Sequence, residues 1–143
     1  MKKIFLILLL LKVSSYASSF IEVPSKFSVA KTVATLTKVI NAHKAFSVFT
    51  IIDHHKNAQG VQMKMPQTRL IIFGNPKAGT LLMKANPLMA YELPLKILVT
   101  KKRGKTIISY RDPQWLATNY QLYKHPVIPK MQKMMKLFVS SCL

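Results

Sequence analysis

The chain has 143 residues, half of them hydrophobic, and sets 22 lysines and arginines against four acids for a formal net charge of +18. That length is enough for a single domain with one core, and a single cysteine, Cys142, excludes an intramolecular disulfide. The charge draws polyanions such as anionic lipid, surface polysaccharide or nucleic acid, but bears on association rather than on fold.

Met1-Lys2-Lys3 precedes an apolar run from Ile4 to Leu11, and Ser15-Tyr16-Ala17 places small residues three and one before a cleavage point. A positive start, a short apolar middle and small residues at the cut predict a secretory signal peptide over residues 1–17. A single domain then covers residues 18–143. An exported protein is expected, periplasmic or secreted. The rival reading is an uncleaved anchor, which would be its only link to a membrane. No cysteine follows the run, so a lipoprotein is not expected. Cleavage removes three lysines and leaves 126 of the 143 residues with a net charge of +15.

Phe20 to Val23 reads as a short strand ended by Pro24, and Ser25 as the cap of the next helix. Val29, Val33, Leu36 and Ile40 recur at helical spacing, which predicts a helix from Lys26 to His43 with one face on a sheet. Phe46 to Asp53 is β-branched and aromatic, a strand, and Lys56 to Gly60 a helical turn. Leu70 to Phe73 forms another strand, ending at Gly74. Asn75 then caps a helix with Pro76 in its first position, where the missing N–H costs nothing. Asn86-Pro87 starts a short helix over Leu88 to Tyr91. Leu95 to Lys101 and Lys105 to Tyr110 pair as a hairpin through Gly104. Asp112-Pro113 opens a helix carrying Trp115, Leu116, Tyr120 and Tyr123, interrupted at His125-Pro126. Ile128, Met131, Met135 and Phe138 share one face of a last helix from Val127 to Phe138. Helices interspersed with hairpin-joined strands make the class α+β, a small, mainly antiparallel sheet with helices packed on it.

The stretch from Leu70 to Pro94, with Ile52-Asp53-His54 before it and Ser109-Tyr110-Arg111-Asp112-Pro113 after it, resembles the domain-of-unknown-function family numbered 302 (DUF302). The resemblance spans roughly Phe46 to Tyr120. It implies a small sheet covered by helices, often paired as a dimer, and implies no agreed activity.

Asp53-His54-His55 is the most reactive-looking triplet. Read as the end of a strand, it puts His54 at the rim of the face formed by Val48, Thr50 and Ile52, where a histidine serves as general base or as a hydrogen-bonded structural residue. His43, His54, His55 and His125 with one terminal cysteine show no zinc spacing. Met63, Met65, Met131, Met134 and Met135 suit Cu(I) by chemistry, but the last group lies at core spacing. No metal or cofactor is expected. Gly74-Asn75-Pro76, Glu92-Leu93-Pro94 and Tyr110-x-Asp112-Pro113 all fall at element boundaries. Turns and caps explain them, and the same location brings Asn75, Glu92 and Tyr110 to where a cleft can form. Lys101-Lys102-Arg103-Gly104-Lys105 is the one basic cluster, read as a solvated hairpin tip, and no nucleic-acid-binding pattern accompanies it.

Three functional readings follow. The first is an exported small-ligand-binding or accessory protein, with His54, Gly74, Asn75 and Tyr110 around a cleft for a small or anionic ligand. The second is an enzyme with His54 as base, oriented by Glu92 or Asp53. The third is a basic protein docked on an acidic envelope polyanion. A homodimer is the expected assembly. Cys142 is read as an incidental residue of a frayed tail, replaceable by serine without loss of stability.

Overall fold

The computed structural model describes residues 19–143, so the expected signal segment, residues 1–17, lies outside the described residues. Among them the chain runs β1 (Phe20–Ser25), α1 (Val29–Ala42), β2 (Ser47–Asp53), α2 (His54–Gly60), β3 (Thr68–Gly74), α3 (Pro76–Ala85), α4 (Met89–Glu92), β4 (Leu95–Lys102), β5 (Lys105–Arg111), α5 (Pro113–Asn119) and α6 (Val127–Ser140). The strands form one sheet in the order β1-β5-β4-β3-β2, antiparallel at every pairing. The class is α+β, as the sequence predicts.

The β4–β5 hairpin sits at the centre of that order. Arg103 and Gly104 both have positive φ, 49° and 78°, the backbone of a two-residue turn whose twist matches paired strands. One face of the sheet is buried. It carries Ile71, Phe73, Ile97, Val99, Ile108 and Tyr110 against Val29, Val33, Leu36 and Ile40 of α1 and Met135 and Phe138 of α6. On the opposite face Leu70, Ile72, Leu98 and Ile107 are half-buried.

Several boundaries differ from expectation, and those that bear on the site have local reasons. Pro24 does not end β1; the strand continues to Ser25, with Pro24 opposite Ile107. An edge strand tolerates proline because its lost N–H points away from the ladder. The first long helix therefore begins later, at Val29, and its cap is Ser28, whose Oγ accepts from the Lys31 N–H at 3.3 Å. At the far end of β2, His54 and His55 do not extend the strand. Asp53 Oδ1 accepts the Lys56 N–H at 2.9 Å and starts α2 at once. Beyond α5, Gln121 takes a φ of 57° and ends the helix at Asn119, leaving Tyr123 exposed.

The tail is not frayed. Cys142 has 0% exposure; its carbonyl accepts from the Lys26 N–H at 2.9 Å and from Ser25 Oγ at 3.2 Å. Its Sγ lies 3.9 Å from the Thr32 carbonyl oxygen. Burial pushes its thiol above the usual range, which Ser141 and Lys26 only partly oppose. The residue read as incidental therefore ties the end of the chain to the β1–α1 turn, and its thiol is closed to a bridge between chains.

Candidate functional site

At the edge of the sheet where Gly74 pairs with Ser47 and Phe73 with Leu95, the molecule opens into a cleft of about 690 Å³. Its walls are α3 and α6, and its end is built from Phe46, Phe49, Gly74 and the Leu93–Leu95 turn. Local sequence explains each part. Asn75 Oδ1 accepts the Ala78 N–H at 3.2 Å and Pro76 occupies the first helical turn, so α3 leaves the strand immediately. The β2–β3 register slips between Val48 and Thr50, making Phe49 the extra residue of a bulge, a device that re-aims a side chain. The Phe49 ring lies against Gly74: a Cβ there would stand 3.2 Å from Phe49 Cε2. Glycine at this point is what lets the ring close the end of the cleft. Beneath it Phe46 and Phe138 meet edge-on at 5.3 Å, and Phe138 meets Phe73 at 5.9 Å. The His43 ring packs on Phe46 and Phe138 at the same wall; its Nδ1 is buried and has no hydrogen-bond partner.

Of the sequence-predicted site residues, Gly74 and Asn75 line this cleft. His54 and Tyr110 do not join them. Asp53 pairs with Arg69 at the opposite end of β2 from the Ser47–Gly74 pair. His54 thus stands about 20 Å from Gly74 along six residues of extended chain. Tyr110 pairs with Ile97 in mid-sheet and is a core residue, 5% exposed. Burial raises its phenol, with the Asp112 charge adding to the effect. Sequence alternation does place Tyr110 with Ile108 on the core face, which was the available signal for burial.

Glu92 is held elsewhere. Its Oε2 accepts from Arg111 Nε at 3.2 Å and its Oε1 from Tyr120 Oη at 3.0 Å. The Arg111 guanidinium lies between two rings, 4.3 Å from the Phe20 centroid and 4.4 Å from that of Trp115, and donates to Ser19 Oγ at 2.8 Å. Lys96 Nζ donates to the Glu92 and Pro94 carbonyls, both at 3.0 Å. Burial lowers the Lys96 ammonium pKa, against the raising effect of Glu92. Burial and then the Glu92 hydrogen bond raise the Tyr120 phenol. Arg111, Tyr120 and Lys96 escaped the sequence reading because Glu92, the partner they share, lies 4 to 28 residues away and no periodicity links them to it. The cluster clamps the α4–β4 turn to β5 and to the end of α5.

The second polar group is the Asp53 corner. Asp53 Oδ2 accepts from Arg69 Nε at 2.8 Å while Oδ1 caps α2. The Lys56 N–H, then Arg69, holds this carboxyl below the usual aspartate range. His55 Nδ1 lies 2.8 Å from the Met65 carbonyl oxygen, a bond that pins the α2–β3 loop.

An antiparallel α+β domain with a lateral apolar cleft, and with its carboxylates committed to clamps and caps, is the class defined by this geometry. The chain belongs to the family described as Domain of unknown function DUF302, whose family model matches residues 21–138. An uncharacterized conserved protein DUF302 from Bacillus stearothermophilus has the same fold, with a TM-score of 0.74 at 18% identity over 89% of this chain and 100% of that one. Two curated proteins are also similar. The Fluoride-specific ion channel FluC 1 of Brucella suis biovar 1 (strain 1330) is 35% identical over 106 residues, 73% of this chain and 41% of that protein. The Fluoride-specific ion channel FluC 2 of Brucella melitensis biotype 1 is 35% identical over the same length and 39% of its own. The chain thus spans about two fifths of the curated relatives it matches and, among the described residues, has no helix long and apolar enough to cross a membrane.

Proposed function

We propose that this domain binds a small molecule in the α3–α6 cleft and works as an exported, periplasmic or secreted, binding or accessory protein. The observation that carries the reading is the cleft itself. Its 690 Å³ falls within the range of small-ligand sites, and Phe46, Phe49, Leu81, Leu93 and Met134 at its walls offer apolar surface that no segment of the described chain covers. The engagement of Glu92 by Arg111 and Tyr120, and of Asp53 by Arg69 and the Lys56 N–H, favours binding over base catalysis at His54. Mass spectrometry of small molecules released from the purified protein tests the reading. An apolar-bodied compound at up to one per chain is expected, and lost in Leu81→Gln. A protein that carries no small molecule, and takes up none from an apolar library, would refute it.

The relatives named as fluoride channels support a second reading, an accessory domain that operates beside a membrane transport protein. They are more than twice as long as the matched segment. Co-purification of the domain with a membrane partner, and a change in fluoride tolerance on its deletion, are the outcomes this reading requires.

A further inference from the structure

We infer that the cleft ligand is an amphipathic anion: a flexible apolar body with one acidic head group. The inference rests on the small-ligand reading above and adds the chemistry of the ligand. Two features of the cleft point the same way.

The first is the distribution of charge. Lys77 of α3 and Lys130 and Lys133 of α6 belong to the two opposing walls, and no aspartate or glutamate lines the cleft. The four acids of the chain lie elsewhere. Glu22 pairs with Lys102, Asp53 with Arg69 and Glu92 with Arg111, and Asp112 caps α5. Among the described residues the three cleft lysines therefore have no carboxylate partner. Cations on facing walls, set against low-dielectric surface, concentrate positive potential at an opening.

The second feature is the make-up of the walls. Met131, Met134 and Met135 of α6 and Met83 of α3 line the cleft beside Phe49 and Leu81. Unbranched thioether side chains adapt to irregular, mobile apolar bodies rather than to one rigid outline. Lysine stems also lie along apolar surface while their heads stay in water. A single alkyl chain ending in a carboxylate, sulfate or phosphate satisfies both features at once. A neutral hydrocarbon leaves the lysines unused, and inorganic phosphate leaves the apolar walls unused.

The test is calorimetric titration of the purified protein with decanoate, decyl sulfate, decanol and inorganic phosphate, each below its aggregation concentration. Decanoate and decyl sulfate are expected to bind about tenfold more tightly than decanol, a difference of about 1.4 kcal/mol, and the margin should shrink as salt screens the exposed lysines. Inorganic phosphate is expected not to bind. Lys130→Gln/Lys133→Gln should cut the margin several-fold without altering decanol binding. Lys130→Glu/Lys133→Glu should turn the preference toward decyltrimethylammonium, a gain that misfolding cannot imitate. Decanol binding as tightly as decanoate would overturn the head-group assignment and leave the small-ligand reading standing. Failure of all three decyl compounds to bind would overturn the amphipathic-anion inference, and the small-ligand reading falls with it only if nothing from the apolar library binds either.

Discussion

Tyr120 donates its phenolic hydrogen to Glu92 across 3.0 Å, from the residue just beyond α5 to the last residue of α4. The same carboxylate takes the Arg111 guanidinium on its other oxygen. Glu92 is thus the knot of a clamp, and Phe20 and Trp115 flank its arginine partner.

Tyr120→Phe removes one hydrogen bond to a charged acceptor and is expected to cost about 1.5 kcal/mol, read as a fall of a few degrees in Tm. The loss should depend on pH. Burial and Glu92 raise the folded-state pKa of Tyr120, so the folded protein keeps a proton that the unfolded chain gives up. That contribution is complete below about pH 10 and is lost as pH rises from there through the raised folded value. The stability gap between wild type and Tyr120→Phe should therefore narrow in alkaline denaturation curves. A gap that stays constant would place the phenol outside the Glu92 clamp.

The Asp53 corner has the opposite sign. Its folded-state pKa lies below the ordinary 3.8, first through the Lys56 N–H and then through Arg69. The contribution is present above the unfolded value and fades as pH falls through the folded one. Asp53→Asn should lower Tm at neutral pH and flatten its decline under acid. His54→Ala, which removes a side chain with no hydrogen-bond partner among the described residues, should do neither and should leave cleft binding unchanged. Equal acid sensitivity in Asp53→Asn and wild type would assign the acid transition to another carboxylate.

Patterns that repeat locally were legible in the sequence. Val29, Val33, Leu36 and Ile40 announced α1, Asn75-Pro76 announced the start of α3, and the Lys105–Tyr110 alternation announced a strand with Gly104 at its turn. Long-range register was not legible, and it decides which boundary motifs meet. Gly74 and Asp53 lie at opposite ends of one strand pair, so residues that all sit at element ends are divided between two ends of the sheet. Pattern equally failed to foresee the bulge at Phe49, which depends on how β2 pairs with β3. The burial of Cys142 was hidden for another reason. Its contacts are with Ser25, Lys26 and Thr32, over a hundred residues away in sequence, and closeness to a terminus is no guide to exposure.

Cys142→Ser is now expected to destabilise. A hydroxyl at a position with no exposure needs a hydrogen-bond partner, and the polar atoms nearest the sulfur, Ser141 Oγ at 3.6 Å and the Thr32 carbonyl at 3.9 Å, both stand beyond good hydroxyl hydrogen-bond distance. A polar group left poorly paired costs about 1–3 kcal/mol. Cys142→Ala trades that penalty for a small cavity and should cost about 1 kcal/mol. Serine faring worse than alanine in urea denaturation is the expected order. The reverse order would mean that the hydroxyl finds a good acceptor at the β1–α1 turn.

Asn75 joins the fold to the cleft, since its side chain caps α3 while the residue forms part of the cleft wall. Asn75→Ala removes the acceptor for the Ala78 N–H and should cost roughly 0.5–2 kcal/mol. Asn75→Asp keeps an acceptor in place and sets a negative charge at the positive end of the helix, where it is favourable. In the thermal melt, therefore, aspartate should match or exceed wild type and alanine should fall below both. Binding should reorder the three. A carboxylate next to Lys77 partly neutralises the only cation contributed by the α3 wall, so decanoate affinity should fall several-fold in Asn75→Asp and hold in Asn75→Ala, once both are measured well below their melting points. Decanol affinity should stay level across all three proteins. Loss of decanoate binding in the alanine variant alone would show that the amide contacts the head group directly. Unchanged decanoate binding in the aspartate variant would place the head group away from the Lys77 end, beside Lys130 and Lys133 only.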